Sequence, residues 1–394
     1  MNKIEEIFKS WGISINPNEE QSKLASDRIQ ICNTCEHKKE GVINTCGICG
    51  CALKAKVFSP VFNSCPIGKW EDVDSNMGLK KEKTLRFICA QPATTYYAWQ
   101  VEVMLNNFME MGVNLNNVDV VCWTPDRVVP QQWTNLAENY AARFFFYNDI
   151  RKTKNYISSI RPNILKQHFR HNQEIKNDAI FYHDCDILFT KPISEWITKE
   201  MIEDDIWYGS DTRWYIAHSY IVSKGHNILE KMCEIVNIDS KVVEDNELNS
   251  IGAQYLMKGI DERYWHRVEE DSERLYKEIT ELNKEIKKEN PSYHEIQIWC
   301  ADMWAVLWNG WKMGKETKCS SNMQFSWATS DINEIEKYNI FHNAGVTIKD
   351  TDLFNKSKYT IKLPYGEDID VRENSASSYY WSWIQKVGNK SVLK

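Results

Sequence analysis

Two carboxylates separated by a single residue, Asp184 and Asp186, lie near the end of an apolar run at residues 178–189. Carboxylates are costly to bury unless a cation compensates their charge. At positions i and i+2 of a straight strand, both side chains would face the same side. The pair therefore indicates that both acids bind one hard divalent cation, or that one binds the cation and the other a sugar or ribose hydroxyl. The apolar residues before the pair favour such a site over a solvated turn.

Six cysteines near the N-terminus could perform a second kind of chemistry. Their positions are Cys32, Cys35, Cys46, Cys49, Cys51 and Cys65. The first four form two C-x-x-C pairs, and two such turns can complete a tetrahedral Zn²⁺ site with four thiolates. These four are the simplest ligand set, although either of the last two could replace a member or help to hold a second ion. In a reducing compartment, which we expect for this chain, clustered cysteines indicate metal ligands and not disulfides.

Composition limits the classes of protein to which the chain can belong. It has 394 residues, with 48 Lys and Arg against 55 Asp and Glu, and a formal net charge of −7. A hydrophobic fraction of 42% excludes a mainly disordered chain, and the negative charge argues against binding nucleic acid through bulk charge. The 16 Trp, 18 Tyr and 14 Phe are an excess of rings that could stack on sugars or bases.

The cellular compartment is predicted from the absence of long apolar segments in the sequence. Charges recur every few residues in the first 20, so no signal peptide is indicated. No later stretch reaches the roughly 18 apolar residues that a membrane span needs. We therefore expect a cytoplasmic protein without a membrane partner.

Short apolar runs alternate with helical patterns in the larger part of the chain. Strands are predicted at residues 85–90, 118–123, 143–147 and 178–189, and helices at 99–111 and from 160 onward. A Glu- and Lys-rich segment at 268–290 carries an apolar stripe at helical spacing, which predicts a long helix with a solvated face. This alternation indicates an α/β sheet with flanking helices, whose ligands bind at the carboxyl ends of the strands.

The cysteine-containing segment resembles small zinc ribbons of tailed-phage proteins. The similarity rests on ICNTC, CGICGCALKAK and CPIGKW, which end at Trp70. It implies a structural Zn²⁺. It also implies four consecutive segments: an N-terminal helical segment (1–27), a zinc-ribbon module (28–75), a linker (76–83) and a large domain (84–394). The first 70 residues have nine Lys and Arg against seven Asp and Glu, and this small excess does not indicate DNA binding.

The large domain resembles GT-A-fold glycosyltransferases of the D-x-D type, including uncharacterised phage-encoded ones. The acid pair carries the resemblance, together with the order of several other segments. These are 86–92, similar to a nucleotide-recognition loop; 208–211 and 220–225, similar to the cleft for sugar and acceptor; 296–310; and the His-containing loop 341–345. The resemblance implies a Rossmann-like mixed sheet, and host cytoplasm as the location if the protein is phage-encoded.

The same resemblance implies a donor site. Asp184 and Asp186, with His342 as a third ligand, would hold Mn²⁺ or Mg²⁺ against the diphosphate of a UDP- or GDP-sugar. Gln91 and Arg161 would contact the nucleotide sugar, and Arg161 could share in stabilising the charge of the leaving diphosphate.

Two further acids are candidates for the catalytic base or for binding sugar hydroxyls. Asp302 lies in an apolar, Trp-rich helical stretch where an acid needs a partner, and Asp211 is the weaker candidate. His183 is expected to be structural. Four tryptophans could line the cleft, although core packing is the more common role of any one of them: Trp214, Trp299, Trp304 and Trp327.

The sequence thus predicts a metal-dependent hexosyl- or pentosyltransferase. Its acceptor would be macromolecular: phage DNA with a hydroxylated base, a protein or a glycan. The alternative is a non-enzymatic, zinc-dependent adaptor in which the GT-A-like domain is degenerate. The adaptor hypothesis predicts no divalent-ion site apart from zinc.

Overall fold

The structure is a computed structural model that describes residues 3–79 and 83–393. The chain divides into two units, Met1–Lys83 and Thr84–Lys394. Residues 80–82 of the predicted linker and residues 1–2 of the predicted N-terminal helical segment lie outside the described residues.

Short helices and one antiparallel strand pair make up the described part of the N-terminal unit. They are α1 (Lys3–Ile15), α2 (Glu19–Asn33), β1 (Lys38–Lys39), β2 (Thr45–Cys46), α3 (Leu53–Lys56) and α4 (Glu71–Asn76). Helix α2 begins at a capping box, in which the Asn18 side chain accepts from the Gln21 N–H at 2.8 Å and the Gln21 side chain accepts from the Asn18 N–H at 2.9 Å. Helix α4 lies at the end of the predicted zinc-ribbon module and reaches the first residue of the predicted linker, residue 76.

A buried arginine joins three segments of this unit. The Arg28 guanidinium on α2 donates to both carboxylate oxygens of Asp74 on α4, each at 2.7 Å. It also donates to the carbonyl oxygens of Val57, at 2.9 Å, and Ser59, at 2.6 Å. Both charged side chains are fully buried, so each depends on the other to offset its desolvation.

A seven-stranded mixed sheet forms the centre of the C-terminal unit. The strands of this unit are β3 (Leu85–Pro92), β4 (Val118–Trp123), β5 (Arg143–Tyr147), β6 (Ala179–His183), β7 (Ile187–Phe189), β8 (Trp207–Asp211), β9 (Ile251–Lys258), β10 (Thr317–Cys319), β11 (Phe325–Trp327) and β12 (Ile340–His342). The order in the sheet is β10-β8-β9-β6-β3-β4-β5. Strand β9 runs antiparallel to β6 and β8, and the other neighbouring strands are parallel.

Helices cover both faces of this sheet. They are α5 (Thr95–Glu110), α6 (Gln131–Asn139), α7 (Ile160–His171), α8 (Lys199–Glu203), α9 (Arg213–Ile216), α10 (His218–Val222), α11 (His226–Val236), α12 (Ser240–Asp245), α13 (Glu262–Glu289), α14 (Ala301–Lys312), α15 (Asn333–Lys337) and α16 (Ala376–Gly388). On β3, Phe87 and Cys89 pack into a core with α5 and α16, whereas Ile88 and Ala90 pack into a second core with α7, α13 and α14. Since alternate residues of a strand face opposite sides, both faces of this strand are buried. The predicted α/β fold with a mixed sheet and flanking helices is confirmed.

The predicted long helix is α13, which begins earlier than residue 268. It starts after Asp261, whose side chain accepts from the Tyr264 N–H at 2.9 Å and so caps the helix. The sequence analysis followed the apolar stripe and missed this cap.

The expectation of one straight strand through residues 178–189 is wrong. Strand β6 ends at His183, a turn follows, and β7 begins at Ile187. Strand β7 belongs to a separate three-stranded sheet of order β11-β12-β7. In that sheet His342 pairs with Ile187, and the Asn343 N–H donates to the Asp186 carbonyl oxygen at 2.9 Å. This register, and not a shared strand face, brings the acid pair close to His342.

Candidate active site

A cavity of about 420 Å³ lies at the carboxyl ends of β3 and β6. Its wall includes Ala90, Gln91 and Pro92 from the end of β3, and the turn that holds Asp184 and Asp186 after β6. In open α/β sheets, ligands bind at this edge because side chains of adjacent loops converge there. The location of the cavity agrees with that expectation.

Three of the cavity-lining residues form a cluster of metal-ligating type. The ligand atoms of Asp184, Asp186 and His342 all lie within 4.8 Å of one another. His342 Nε2 is 3.4 Å from Asp186 Oδ1 and 3.7 Å from Asp184 Oδ2. Two carboxylate oxygens and one imidazole nitrogen suit Mn²⁺, and Mg²⁺ with water completing its shell. The donor set therefore fits the divalent ion that the sequence predicts.

Gln254 on β9 contacts the other ring nitrogen of His342. Its Nε2 lies 3.3 Å from His342 Nδ1, and its Oε1 lies 3.1 Å from the Ser210 hydroxyl oxygen. That hydroxyl has one proton and donates it to the Met323 carbonyl oxygen at 2.6 Å. Exchanging the amide oxygen and nitrogen of Gln254, which have nearly the same shape, satisfies all three groups. His342 Nδ1–H then donates to Gln254 Oε1, which leaves Nε2 directed at the two acids.

Lys356 neutralises one of the two acids. Its ammonium donates to Asp186 Oδ2, and its side chain is 29% exposed. Burial would raise the pKa of Asp186, but Lys356 and His342 outweigh it and hold that pKa well below its ordinary value. Burial would likewise lower the pKa of Lys356, and the charge of Asp186 raises it instead. The sequence analysis missed Lys356, because nothing in the local sequence distinguishes it from a surface lysine.

Arg161 binds the other acid and also a more distant one. Its guanidinium donates to Asp184 Oδ1 at 2.5 Å and to Asp302 Oδ2. Burial would lower the pKa of Arg161, but Asp302 and Asp184 together raise it well above its ordinary value. The Tyr156 hydroxyl lies 2.7 Å from Asp302 Oδ1 and 2.5 Å from the Trp299 carbonyl oxygen. Asp302 thus lies in the cavity wall, and its carboxylate already has two partners.

Among the described residues, two buried polar groups of the cavity wall have no hydrogen-bond partner. They are the side-chain oxygen of Gln91 and the hydroxyl of Tyr255 on β9. The Gln91 amide nitrogen makes only long contacts, at 3.4 Å to the Val121 carbonyl oxygen and 3.5 Å to Cys122 Sγ. Since unpaired buried polar groups are costly, this wall is suited to a polar ligand that pairs with them.

Asp211 and His183 are not among the residues that line the cavity. Asp211 accepts from the Arg213 guanidinium at 2.6 Å and 2.9 Å, and this ion pair holds its pKa below the ordinary value. His183 Nδ1–H donates to the Asp184 carbonyl oxygen at 2.8 Å. His183 Nε2 is buried and has no hydrogen-bond partner among the described residues, and the structural role of this residue stays a prediction.

The four tryptophans considered for the cleft occupy different environments. Trp304 is fully buried and its indole N–H donates to the Ile216 carbonyl oxygen at 2.9 Å, so it belongs to the core. Trp299 and Trp327 line the cavity. Trp214 lies beside them, with its ring centroid 6.4 Å from that of Trp327.

The six clustered cysteines are all free thiols, and all are partly exposed. Both C-x-x-C segments contain a turn: the Cys35 N–H donates to the Cys32 carbonyl oxygen at 3.3 Å, and the Gly50 N–H donates to the Cys46 carbonyl oxygen at 2.8 Å, with a φ of 73° at Gly50. Burial raises the pKa of Cys32 to about 11. Within residues 3–79 no three thiols share the 4.8 Å spacing of the Asp184 cluster, and zinc binding stays a prediction.

Comparison with known proteins gives similar solved structures but no family. No family model and no curated protein matches the chain. Similar structures include the bifunctional glycosyltransferase WbbM, at 9% identity and a TM-score of 0.38, covering 87% of this chain and 67% of that one. They also include the galactosyltransferase LgtC in complex with donor and acceptor sugar analogues, at 10% identity and a TM-score of 0.34, covering 70% and 94%. A third is the glycosyltransferase GlyE of Streptococcus pneumoniae, at 11% identity and a TM-score of 0.35, covering 79% and 64%. Across the described residues, no helix combines the length and apolar character needed to cross a membrane.

Proposed function

We propose that the C-terminal unit is a metal-dependent glycosyltransferase that uses a nucleotide-sugar donor. One observation carries the proposal: Asp184, Asp186 and His342 converge in the wall of a cavity that also contains two cationic side chains, Arg161 and Lys356. A catalyst for this reaction must bind a diphosphate and stabilise the negative charge that develops on it as the sugar leaves. The cavity contains acids that can bind an ion and cations that can bind phosphate, and the task requires both.

The residues divide into two roles. Mn²⁺ or Mg²⁺, held by the two acids and His342, supplies Lewis-acid stabilisation of the leaving diphosphate. Arg161 and Lys356, which neutralise these acids in the structure, become available to phosphate oxygens when an ion binds the carboxylates. Asp302 retains contact with Arg161 and with the Tyr156 hydroxyl, and so fixes the direction of the guanidinium.

The nucleotide would bind along the end of β3. Gln91 lies there with an unpaired side-chain oxygen, and a nucleobase or ribose donor would satisfy it. We propose a UDP- or GDP-sugar as the donor and a macromolecule as the acceptor. The predicted acceptors are DNA, a protein or a glycan.

The N-terminal unit would fold around a structural Zn²⁺ held by four or more of its six clustered cysteines. A unit of this size buries few apolar side chains, with Ala25, Val57 and Trp70 at its centre, so a bound ion would add needed stability. Zinc content by plasma emission spectrometry should be at least one ion per chain. Cys46→Ser should lower the content and Cys89→Ser, which changes a buried thiol of the other unit, should not. Equal zinc content in both variants would contradict this role of the cluster.

The glycosyltransferase proposal is tested by donor turnover. The protein is incubated with Mn²⁺ and a panel of UDP- and GDP-sugars, and the released nucleoside diphosphate is measured. We expect turnover with at least one donor, and at least a 100-fold loss in Asp184→Asn, on the order expected for removal of one transition-state-stabilising group. Asp245→Asn, which removes an exposed carboxylate paired with Lys241, serves as the matched control. Absence of both turnover and nucleotide binding across the panel would refute the proposal.

A further inference from the structure

We propose that Trp214 and Trp299, named here the tryptophan rim, form the acceptor subsite and that the acceptor group bound there is a saccharide. This inference rests on the proposed function and extends it by naming the acceptor class. It starts from exposure: the Trp214 side chain is 66% exposed and that of Trp299 is 60% exposed. Large aromatic side chains left in water beside a cavity are typical of a binding surface.

The tryptophan rim is continuous with the metal-ligating cluster through a series of rings. Tyr215 links its two members, with centroids 4.4 Å from Trp214 and 6.4 Å from Trp299, the latter pair being stacked at 19°. On the inner side, the Trp327 centroid lies 6.4 Å from Trp214. Trp327 in turn stacks on His342 at 6.2 Å and 16°. An acceptor lying on the rim would thus reach towards the site where the sugar is transferred.

The chemistry of this surface favours a saccharide. Flat aromatic faces pack against the C–H faces of pyranose rings, while indole N–H edges remain available to hydroxyl groups. The two rim rings differ from core tryptophans such as Trp308, which is fully buried.

Charge argues against nucleic acid as the occupant. The cavity lining contains two cations, Arg161 and Lys356, and three acids, Asp184, Asp186 and Asp302. Both cations are bound to these acids in the structure, and in the proposed function they serve the diphosphate of the donor, so neither is left for the phosphates of an acceptor. A DNA strand gains most of its affinity from cations that neutralise its phosphates, and this lining offers no excess of them. Bases also stack on tryptophan, so oligonucleotides are included in the test.

The experiment measures saccharide binding to the full chain in the presence of Mn²⁺ and UDP or GDP. The probes are the methyl β-glycosides of glucose, galactose and N-acetylglucosamine, and cellobiose, titrated by tryptophan fluorescence and by saturation-transfer NMR. We expect saturable binding of at least one probe. Trp214→Ala and Trp299→Ala should each weaken it roughly tenfold, and the Phe substitutions should restore part of the loss. Trp11→Ala, which removes a partly exposed indole of the N-terminal unit, should leave it unchanged.

The outcomes separate this inference from the proposed function. If the rim variants bind both the nucleotide and the saccharide as the wild type does, the acceptor subsite is overturned and the proposed function is not. Failure of every saccharide to bind, or rim-dependent binding of a single-stranded oligodeoxynucleotide or a peptide in place of a saccharide, would overturn the saccharide assignment. Failure of both nucleotides to bind with Mn²⁺ would refute the donor site and with it the proposed function.

Discussion

Asp302 lies 141 residues after Arg161 in the chain, yet its carboxylate accepts a hydrogen bond from the Arg161 guanidinium. The other end of that guanidinium binds Asp184 in the turn after β6. The Arg161 side chain on α7 therefore links the turn that contains the acid pair to Asp302 on α14. The two acids, Asp184 and Asp302, therefore share one arginine as a counter-charge.

Removal of that partner should destabilise the C-terminal unit. Arg161→Met leaves Asp302, which is buried, without its counter-charge, and such a loss costs about 3 kcal/mol in comparable buried pairs. Urea unfolding would measure it. The substitution Asp302→Asn should lower the free energy of unfolding less in the Arg161→Met variant than in the wild type. In that variant the Asp302 carboxylate has already lost its counter-charge. Arg213→Met breaks a more exposed ion pair and should cost less than about 1 kcal/mol. Equal losses in Arg161→Met and Arg213→Met would contradict this interpretation.

Lys356 should have opposite effects on the ion and on the nucleotide. Its ammonium is hydrogen-bonded to Asp186 in the structure. An ion must therefore displace Lys356 before both acids can bind that ion. Lys356→Met should therefore tighten the binding of Mn²⁺ alone and weaken the binding of UDP or GDP in the presence of Mn²⁺. Isothermal titration calorimetry measures both affinities. Unchanged or weaker binding of Mn²⁺ alone would show that Lys356 does not compete with the ion, and unchanged or tighter binding of the nucleotide would show that Lys356 does not bind it.

Gln254 should control the metal affinity of His342 without touching the ion. Its side chain is the partner of His342 Nδ1, and loss of such an outer partner typically costs 10–100-fold in metal affinity. Gln254→Met removes that partner with little change in volume, whereas Gln254→Glu keeps an acceptor for Nδ1–H. Manganese binding, followed by electron paramagnetic resonance of the free ion, should be weakened in the first variant and largely retained in the second. Unchanged affinity in Gln254→Met would refute the role.

His183 should make the protein less stable in mild acid. Its ring is buried between Phe87, Phe108 and Phe181, and burial lowers its pKa from 6.5 to about 4. Below pH 6.5 the unfolded chain takes up a proton at this position, and the folded chain does so only near pH 4. The free energy of unfolding should therefore fall between these values by on the order of 3 kcal/mol. Urea unfolding at pH 7 and pH 4.5 measures the fall, which His183→Asn should largely remove. If the free energy of unfolding falls equally in the variant, titratable groups other than His183 cause the fall.

The sequence predicts the parts of the site that depend on local pattern. Strands β4 and β5 occupy the predicted residues because short apolar runs bounded by turn residues specify buried strands. The acid pair was found because carboxylates after an apolar run require a partner. Its geometry was predicted wrongly, since the turn between β6 and β7 is set by the pairing of β7 with β12, a strand far away in the sequence.

Lys356 and Gln254 could not be predicted, because their roles exist only through contacts across the fold. The environments of the tryptophans show the same limit. Trp299 precedes α14 and points outward, whereas Trp304 lies on the buried side of that helix. Helical periodicity could have separated the two only if the beginning of α14 had been known.

The distance along the chain between Asp186 and Lys356, 170 residues, has a consequence for biosynthesis. The ribosome completes the acid pair long before it makes the strand that carries His342 or the lysine that neutralises Asp186. Until those segments emerge, Asp186 lacks the partners that permit its burial, and β7 lacks the strand with which it pairs. The turn that carries Asp184 and Asp186 should therefore be among the last regions of the nascent chain to become protected from proteases.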